Sequence, residues 1–160
     1  MSEPELHDRA VVEWPAVARG ALLGLALIIP TTIVGAVLDR SIDNFEDSGW
    51  RFLLALLVMA AFVPAGAHAA RLARNAPLTN GALAGLGAFL LWVPVRVVIW
   101  LTRDDNQGLV SGRDPVFRLG QVFGFVVLST ALGMVGGYLA SRRRGTTPDS
   151  GGSAPDSARQ

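Results

Sequence analysis

The chain has 160 residues, of which 51% are hydrophobic and 17% are charged, and its formal net charge is +1. This balance is typical of an integral membrane protein, and so small a net charge argues against a nucleic-acid partner. The sequence contains no cysteine, which excludes disulfide frameworks, thiolate nucleophiles and cysteine metal sites.

Four apolar blocks follow one another at residues 20–38, 52–70, 81–101 and 119–141. Each approaches or exceeds the roughly 20 residues that a membrane-spanning helix needs. Lipid offers no hydrogen-bond partners to the backbone, so each block is predicted to be an α-helix. The predicted fold is an all-α, four-helix transmembrane bundle with spans at about 17–38, 51–73, 80–101 and 118–141. The membrane domain is predicted at 16–144, between an N-terminal arm (1–15) and a disordered tail (145–160).

Prolines fall inside three of the four blocks, at Pro30, Pro64 and Pro94. Each removes one backbone donor and frees the carbonyl four residues earlier, which predicts kinks. Pro30 is followed by Thr31 and Thr32, whose hydroxyls are predicted to satisfy the freed backbone or to line a polar path. Transporters use such broken helices, but proline is also frequent in ordinary spans.

Small residues recur four apart on every predicted helix, where they let another backbone approach closely. The positions are Gly20, Gly24, Ala61, Ala65, Ala69, Gly81, Gly85, Gly120, Gly124, Gly133 and Gly137. We expect these packing faces to be filled by the chain's own helices, or by a partner or a second copy.

The first and third blocks begin alike, 61 residues apart. Five of six residues match between the segments that begin at Gly20 and Gly81, and the second and fourth blocks each end in a ladder of small residues followed by arginine. This pattern predicts a helical hairpin that occurs twice, related by an axis along the membrane normal. Coincidence in a chain rich in Gly, Ala and Leu is the alternative.

One arginine and one histidine lie inside the four apolar blocks. Arg96 falls about 7 Å from the outer end of its helix at 1.5 Å per residue, a distance that a guanidinium spans by snorkelling. Its predicted partners are Asp39, Asp104 or Asp105, and an anion or lipid headgroup is the alternative. His68 is predicted to hydrogen-bond across helices. A proton relay is the alternative, and it is disfavoured because no span contains a carboxylate that could act with His68.

The arginines outside the apolar blocks are unequally distributed, and positive charge favours the cytoplasmic side. One side carries Arg9, Arg19, Arg71, Arg74, Arg142, Arg143, Arg144 and Arg159. The other carries Arg40, Arg51, Arg103, Arg113 and Arg118. The sequence therefore predicts a multi-pass protein of the cytoplasmic membrane with both termini in the cytoplasm.

Enzyme motifs such as His-Glu-x-x-His, Gly-x-Ser-x-Gly and the phosphate-binding loop do not occur in the sequence, and no catalytic residue, metal site or cofactor is predicted. The predicted function is non-enzymatic. The protein is expected to act through helix–helix association in the lipid bilayer, as an accessory subunit of another membrane protein or as a small homo-oligomer. A small transporter or channel that uses proline-kinked helices is the alternative.

Four short spans, glycines at the start of the odd helices and arginines after the even ones mark residues 16–144. In these features the chain resembles small, uncharacterised four-span membrane proteins of actinobacteria. The resemblance implies architecture only, because that group has no established activity from which catalytic or binding residues follow.

Overall fold

A computed structural model describes residues 12–42, 48–101 and 119–144, and nearly all of these residues lie in helices. The helices are α1 (Trp14–Ser41), α2 (Gly49–Leu72), α3 (Pro77–Leu101) and α4 (Leu119–Arg144). Each contains a stretch that is long and apolar enough to cross a bilayer. The predicted all-α fold with four spanning helices is confirmed.

The helix ends differ from the predicted span bounds by no more than three residues. α1 begins at Trp14, two residues before the predicted start of the membrane domain, because Pro15 in its first turn has the backbone angle of a helix and lacks an N–H that would need a partner. α2 ends at Leu72, where Ala73 becomes extended. The first eleven residues of the predicted arm and the predicted tail lie outside the described residues.

α2 and α3 form the centre of the bundle. α1 packs against both of them on one side and α4 packs against both on the other, while α1 and α4 share no contact within the described residues. The two outer helices therefore present more of their surface to lipid than the central pair does.

The α1–α2 hairpin closes through small residues. An ideal Cβ placed on Gly20 would lie 2.6 Å from the Ala65 carbonyl oxygen and 2.7 Å from the Ala69 Cβ. One placed on Gly24 would lie 2.8 Å from the Cβ atoms of Ala65 and, on α3, Ala88. Only glycine leaves room for such approaches, so the first predicted packing face holds α1 against both central helices.

The α3–α4 hairpin uses the corresponding residues. A Cβ on Gly81 would lie 2.7 Å from the Gly133 carbonyl oxygen and 3.0 Å from the Gly137 Cα. A Cβ on Gly85 would meet the Ser129 carbonyl oxygen and lie 3.0 Å from the Gly133 Cα. Both hairpins therefore close through small residues. The contact between α2 and α3 has no counterpart between α1 and α4 in the described ranges, so the two-fold relation of the whole bundle stays a prediction.

Burial is confined to one half of the bundle. The buried residues lie within 16–28, 61–73, 80–92 and 129–140, and every other residue whose exposure is described is half-buried or exposed. We call the buried half, which contains the connection from α2 to α3, the turn half, and we call the opposite half the far half. The small residues at the helix crossings lie in the turn half, which explains why the helices approach closely there.

Candidate functional site

Most of the predicted packing glycines are used inside the chain, but those of α4's first turns are not. An ideal Cβ on Gly120 or Gly124 meets nothing within 4 Å, and both residues are exposed. They lie in the far half, beside Phe123, whose side chain is 70% exposed. This pair is therefore a small-residue face that the described helices do not fill.

The closest crossing in the bundle involves two glycines that the sequence analysis did not single out. A Cβ on Gly66 of α2 would lie 2.7 Å from the Gly133 Cα, and one on Gly136 of α4 would lie 2.8 Å from the Ala67 nitrogen. α2 and α4 therefore touch backbone to backbone. The consecutive Gly136 and Gly137 indicate this crossing in the sequence, because adjacent glycines allow two faces of one helix to pack closely against two neighbours.

A string of polar groups connects α1 to α3 where the turn half ends. The Trp92 indole N–H donates a hydrogen bond of 3.3 Å to the Thr32 hydroxyl, which itself donates to the Ile28 carbonyl at 2.9 Å. The Arg96 guanidinium lies over the Trp92 ring, 5.2 Å from its centroid. An aromatic face attracts a cation and so offsets part of the cost of holding charge inside a span.

Aromatic rings surround the same tryptophan. Phe89 and Phe125 lie with their centroids 6.0 Å and 6.1 Å from that of Trp92, and the Phe89 and Phe125 rings stack on each other. The ring cluster fixes Trp92, and Trp92 in turn positions Arg96. Of the predicted carboxylate partners of Arg96, Asp39 lies near the end of α1, and the other two lie outside the described residues. That pairing stays a prediction.

The two threonines after Pro30 have different surroundings. The Thr31 hydroxyl donates to the Leu27 carbonyl at 3.1 Å and reaches no other helix, whereas Thr32 lies between α1 and α3. Neither hydroxyl bonds the carbonyl of Ala26, which Pro30 frees. Of the predicted polar path, only Thr32 therefore faces a neighbouring helix. α1 runs through Pro30 as a continuous helix.

His68 is half-buried near the turn end of α2. No hydrogen bond joins its imidazole to another described residue, so the bond predicted across helices does not form within these ranges. The nearby small residues Ala65 and Ala69, rather than His68, make the contacts with α1.

A polar clamp, which we define as Glu13, Asn80 and the backbone of residues 74–76, joins the start of α1 to the turn before α3. One carboxylate oxygen of Glu13, Oε1, accepts the backbone N–H groups of Arg74 and Asn75 at 2.6 and 2.9 Å. The Glu13 N–H donates to the Asn80 side-chain oxygen at 2.9 Å, and the Asn80 amide group donates to the Asn75 and Ala76 carbonyls.

The clamp provides hydrogen-bond partners for both polar atoms of the buried Asn80 side chain. Asn80 is 0% exposed, and no buried side-chain nitrogen or oxygen in the described chain lacks a partner. No sequence pattern predicts the clamp, because Glu13 and Asn80 are 67 residues apart. The position of Asn80, directly before the packing glycine Gly81, was the available signal.

The turn inside the clamp holds Ala76 at a φ of 46°. This left-handed conformation is unfavourable for a residue with a Cβ and open to glycine. We therefore expect Ala76→Gly to raise the free energy of unfolding by about 0.5–1 kcal/mol, measured by thermal unfolding in detergent. Ala18→Gly, in the exposed helical part of α1, is the control and should lower stability instead. A fall in stability for both variants would contradict the strain at Ala76.

No group of three or more His, Asp, Glu or Cys side chains that could hold a metal ion occurs in the described ranges. No protein-family model, curated protein or solved structure matches the chain. The resemblance to four-span actinobacterial proteins therefore stays an expectation, and the function has to be argued from the geometry.

Proposed function

We propose that the protein is a non-enzymatic membrane protein of the cytoplasmic membrane that acts through helix–helix association, as an accessory subunit or a small homo-oligomer. The observation that carries the proposal is the unfilled face of Gly120 and Gly124. Helices in lipid associate where small residues permit close backbone contact. The other predicted glycine pairs meet helices of the same chain, so this face on α4 remains for another helix.

The looseness of the far half supports this proposal. No residue whose exposure is described there is buried, although it carries large side chains such as Leu56, Val98 and Phe123. A helix laid along α4 would gain packing contacts in the half where the chain's own helices make few. In the turn half, the small residues already pack against other helices of the same chain, so a partner helix would not reach them.

Crosslinking in native membranes tests this proposal, and the cysteine-free sequence makes each introduced thiol unique. Gln121→Cys, next to the glycine pair, should give a crosslinked dimer or an adduct with a second membrane protein. Tyr138→Cys, also exposed on α4 but in the turn half, is the matched control and should give neither. A chain that stays monomeric with both variants would contradict the proposal.

Gly124→Leu should abolish the Gln121→Cys adduct while the bundle itself remains folded, because nothing lies within 4 Å of the added Cβ. Substitutions at Gly133 or Gly137 would not separate these effects. Both residues touch the α3 backbone, so a side chain there would disrupt the monomer as well.

A small transporter or channel is the second candidate, favoured by the Thr32–Trp92–Arg96 string. It places hydroxyl, indole and guanidinium groups between α1 and α3 at the border of the loose half. Purified protein in liposomes should then move solute without a partner, and Arg96→Ala should change the flux while the protein remains inserted. Absence of flux for every ion and small solute tested would reject this candidate.

The proposed orientation has both termini in the cytoplasm. The excess of arginine at the turn end, including Arg71 and Arg74 in the α2–α3 connection, supports it. Reporters inserted near Asn44 and near Ala76 should then fall in different compartments, the second in the cytoplasm. Activity of both reporters in one compartment would contradict the topology.

A further inference from the structure

A cavity opens at the turn end of α1, at the level where a spanning helix leaves the hydrocarbon core. Its volume is about 320 Å³, and its lining includes Val12, Glu13, Trp14, Pro15, Arg19 and Leu72. The size falls at the lower end of the range for small-molecule sites, roughly 300–1,000 Å³. Trp14 is 68% exposed at the rim, and tryptophan concentrates at the membrane–water interface. The cavity therefore faces the headgroup layer.

The cavity is lined by one cation and one anion. Arg19 makes no hydrogen bond or ion pair within the described chain, and it lines the cavity together with Glu13. Glu13 accepts both clamp bonds through Oε1, which leaves Oε2 without a hydrogen bond to the described residues. A guanidinium and a carboxylate oxygen are therefore both available to a ligand.

We infer that this cavity binds the headgroup of a zwitterionic aminophospholipid. Arg19 receives the phosphate and Glu13 Oε2 receives the primary ammonium. A guanidinium matches phosphate geometry, and an ammonium brings N–H donors to a carboxylate. The apolar remainder of the lining, with Leu72 and Trp14, is suited to the beginning of the acyl chains.

The carboxylate selects among phospholipids. A purely anionic headgroup would place negative charge against Glu13 without an ammonium to neutralise it. A quaternary choline headgroup carries a positive charge but no N–H to donate. Only a primary amine combined with a phosphate satisfies both charged groups of the cavity, which is why the inference names this lipid class.

Lipid retention by the purified full-length protein tests the inference. The protein would be equilibrated with phosphatidylethanolamine, phosphatidylglycerol and phosphatidylcholine of identical acyl chains, and bound lipid counted by native mass spectrometry. We expect phosphatidylethanolamine to be retained roughly tenfold over phosphatidylcholine, the ratio that one charge-assisted hydrogen bond supplies. Equal retention of the two lipids would overturn the inference.

Two variants assign the charged groups. Glu13→Gln keeps an amide oxygen for the clamp bonds and should reduce the preference for phosphatidylethanolamine over phosphatidylcholine to near unity. Arg19→Gln should weaken retention of all three lipids. Arg40→Gln, at the opposite end of α1, is the matched control and should change nothing. A loss with Arg40→Gln equal to that with Arg19→Gln would contradict a local site.

Soluble glycerophosphoethanolamine distinguishes a lipid from a free headgroup. The lipid should stay bound when the soluble compound is present at equal concentration, because only the lipid has chains to lie along the apolar lining. Displacement under these conditions would overturn the assignment to a membrane lipid.

Discussion

Gly136→Ala should lower the free energy of unfolding by about 3 kcal/mol, the upper end of the usual cost of overpacking. The added Cβ would lie 2.8 Å from the Ala67 nitrogen and closer still to the Val63 carbonyl oxygen. Both are backbone atoms of α2, so no side-chain rotation relieves the contact. α4 would have to move away from α2 and lose the crossing that holds the turn half together.

Thermal unfolding in a mild detergent measures this effect, with Gly124→Ala as the control. The control introduces the same methyl group into the same helix, but nothing lies within 4 Å of it. Alanine is also the better helix former, so Gly124→Ala should be neutral or slightly stabilising. Equal loss of stability in the two variants would show that the α2–α4 crossing is not the cause.

Asn80→Ala should lower the free energy of unfolding by about 2–3 kcal/mol, because a buried group that loses its partner costs about 1–3 kcal/mol. The substitution leaves the Glu13 N–H without its acceptor and removes both side-chain donors to the turn carbonyls. We expect the start of α1 to detach from the α2–α3 turn before the rest of the bundle unfolds.

Hydrogen exchange at the start of α1, recorded beside thermal unfolding, checks this second prediction. Asn75→Ala is the matched control, since Asn75 is exposed and its backbone, not its side chain, takes part in the clamp. Exchange at Ala16 and Val17 should accelerate in Asn80→Ala and stay unchanged in Asn75→Ala. Unchanged exchange in Asn80→Ala would mean that the clamp does not hold α1.

The sequence predicted the helices and their small-residue faces, because both follow from local composition and spacing in a lipid environment. A block without charge, such as 20–38, has to close its own hydrogen bonds, so helix number and approximate bounds followed from composition. The faces of Gly20, Gly24, Gly81 and Gly85 followed from four-residue spacing, because that spacing places small residues on one side of a helix. The structure shows these glycines at the crossings of α1 with α2 and of α3 with α4.

The remaining features depend on which helices meet, which spacing does not encode. The use of Gly66 and Gly136 follows from the α2–α4 crossing, and the clamp follows from the position of α1 against the α2–α3 turn. The Trp92 ring lies beneath the Arg96 guanidinium. Gly120 and Gly124 show most clearly that spacing does not predict contact. They have the same four-residue spacing as Gly81 and Gly85, but no described helix packs against them.

The two halves of the bundle divide its roles. The turn half contains the glycine crossings and the clamp, so it gives the fold its rigidity. The far half leaves Gly120 and Gly124 without contacts from the described helices. The proposed association with another helix, or the alternative solute path, would therefore lie in the far half.

The location of the four helices in lipid is tested most directly by alkaline carbonate extraction of cell membranes. This treatment releases peripheral proteins and leaves spanning helices in the bilayer. We expect the intact protein to remain in the membrane pellet and to be released only by detergent. Its recovery in the detergent-free supernatant would contradict a protein whose four helices are surrounded by lipid.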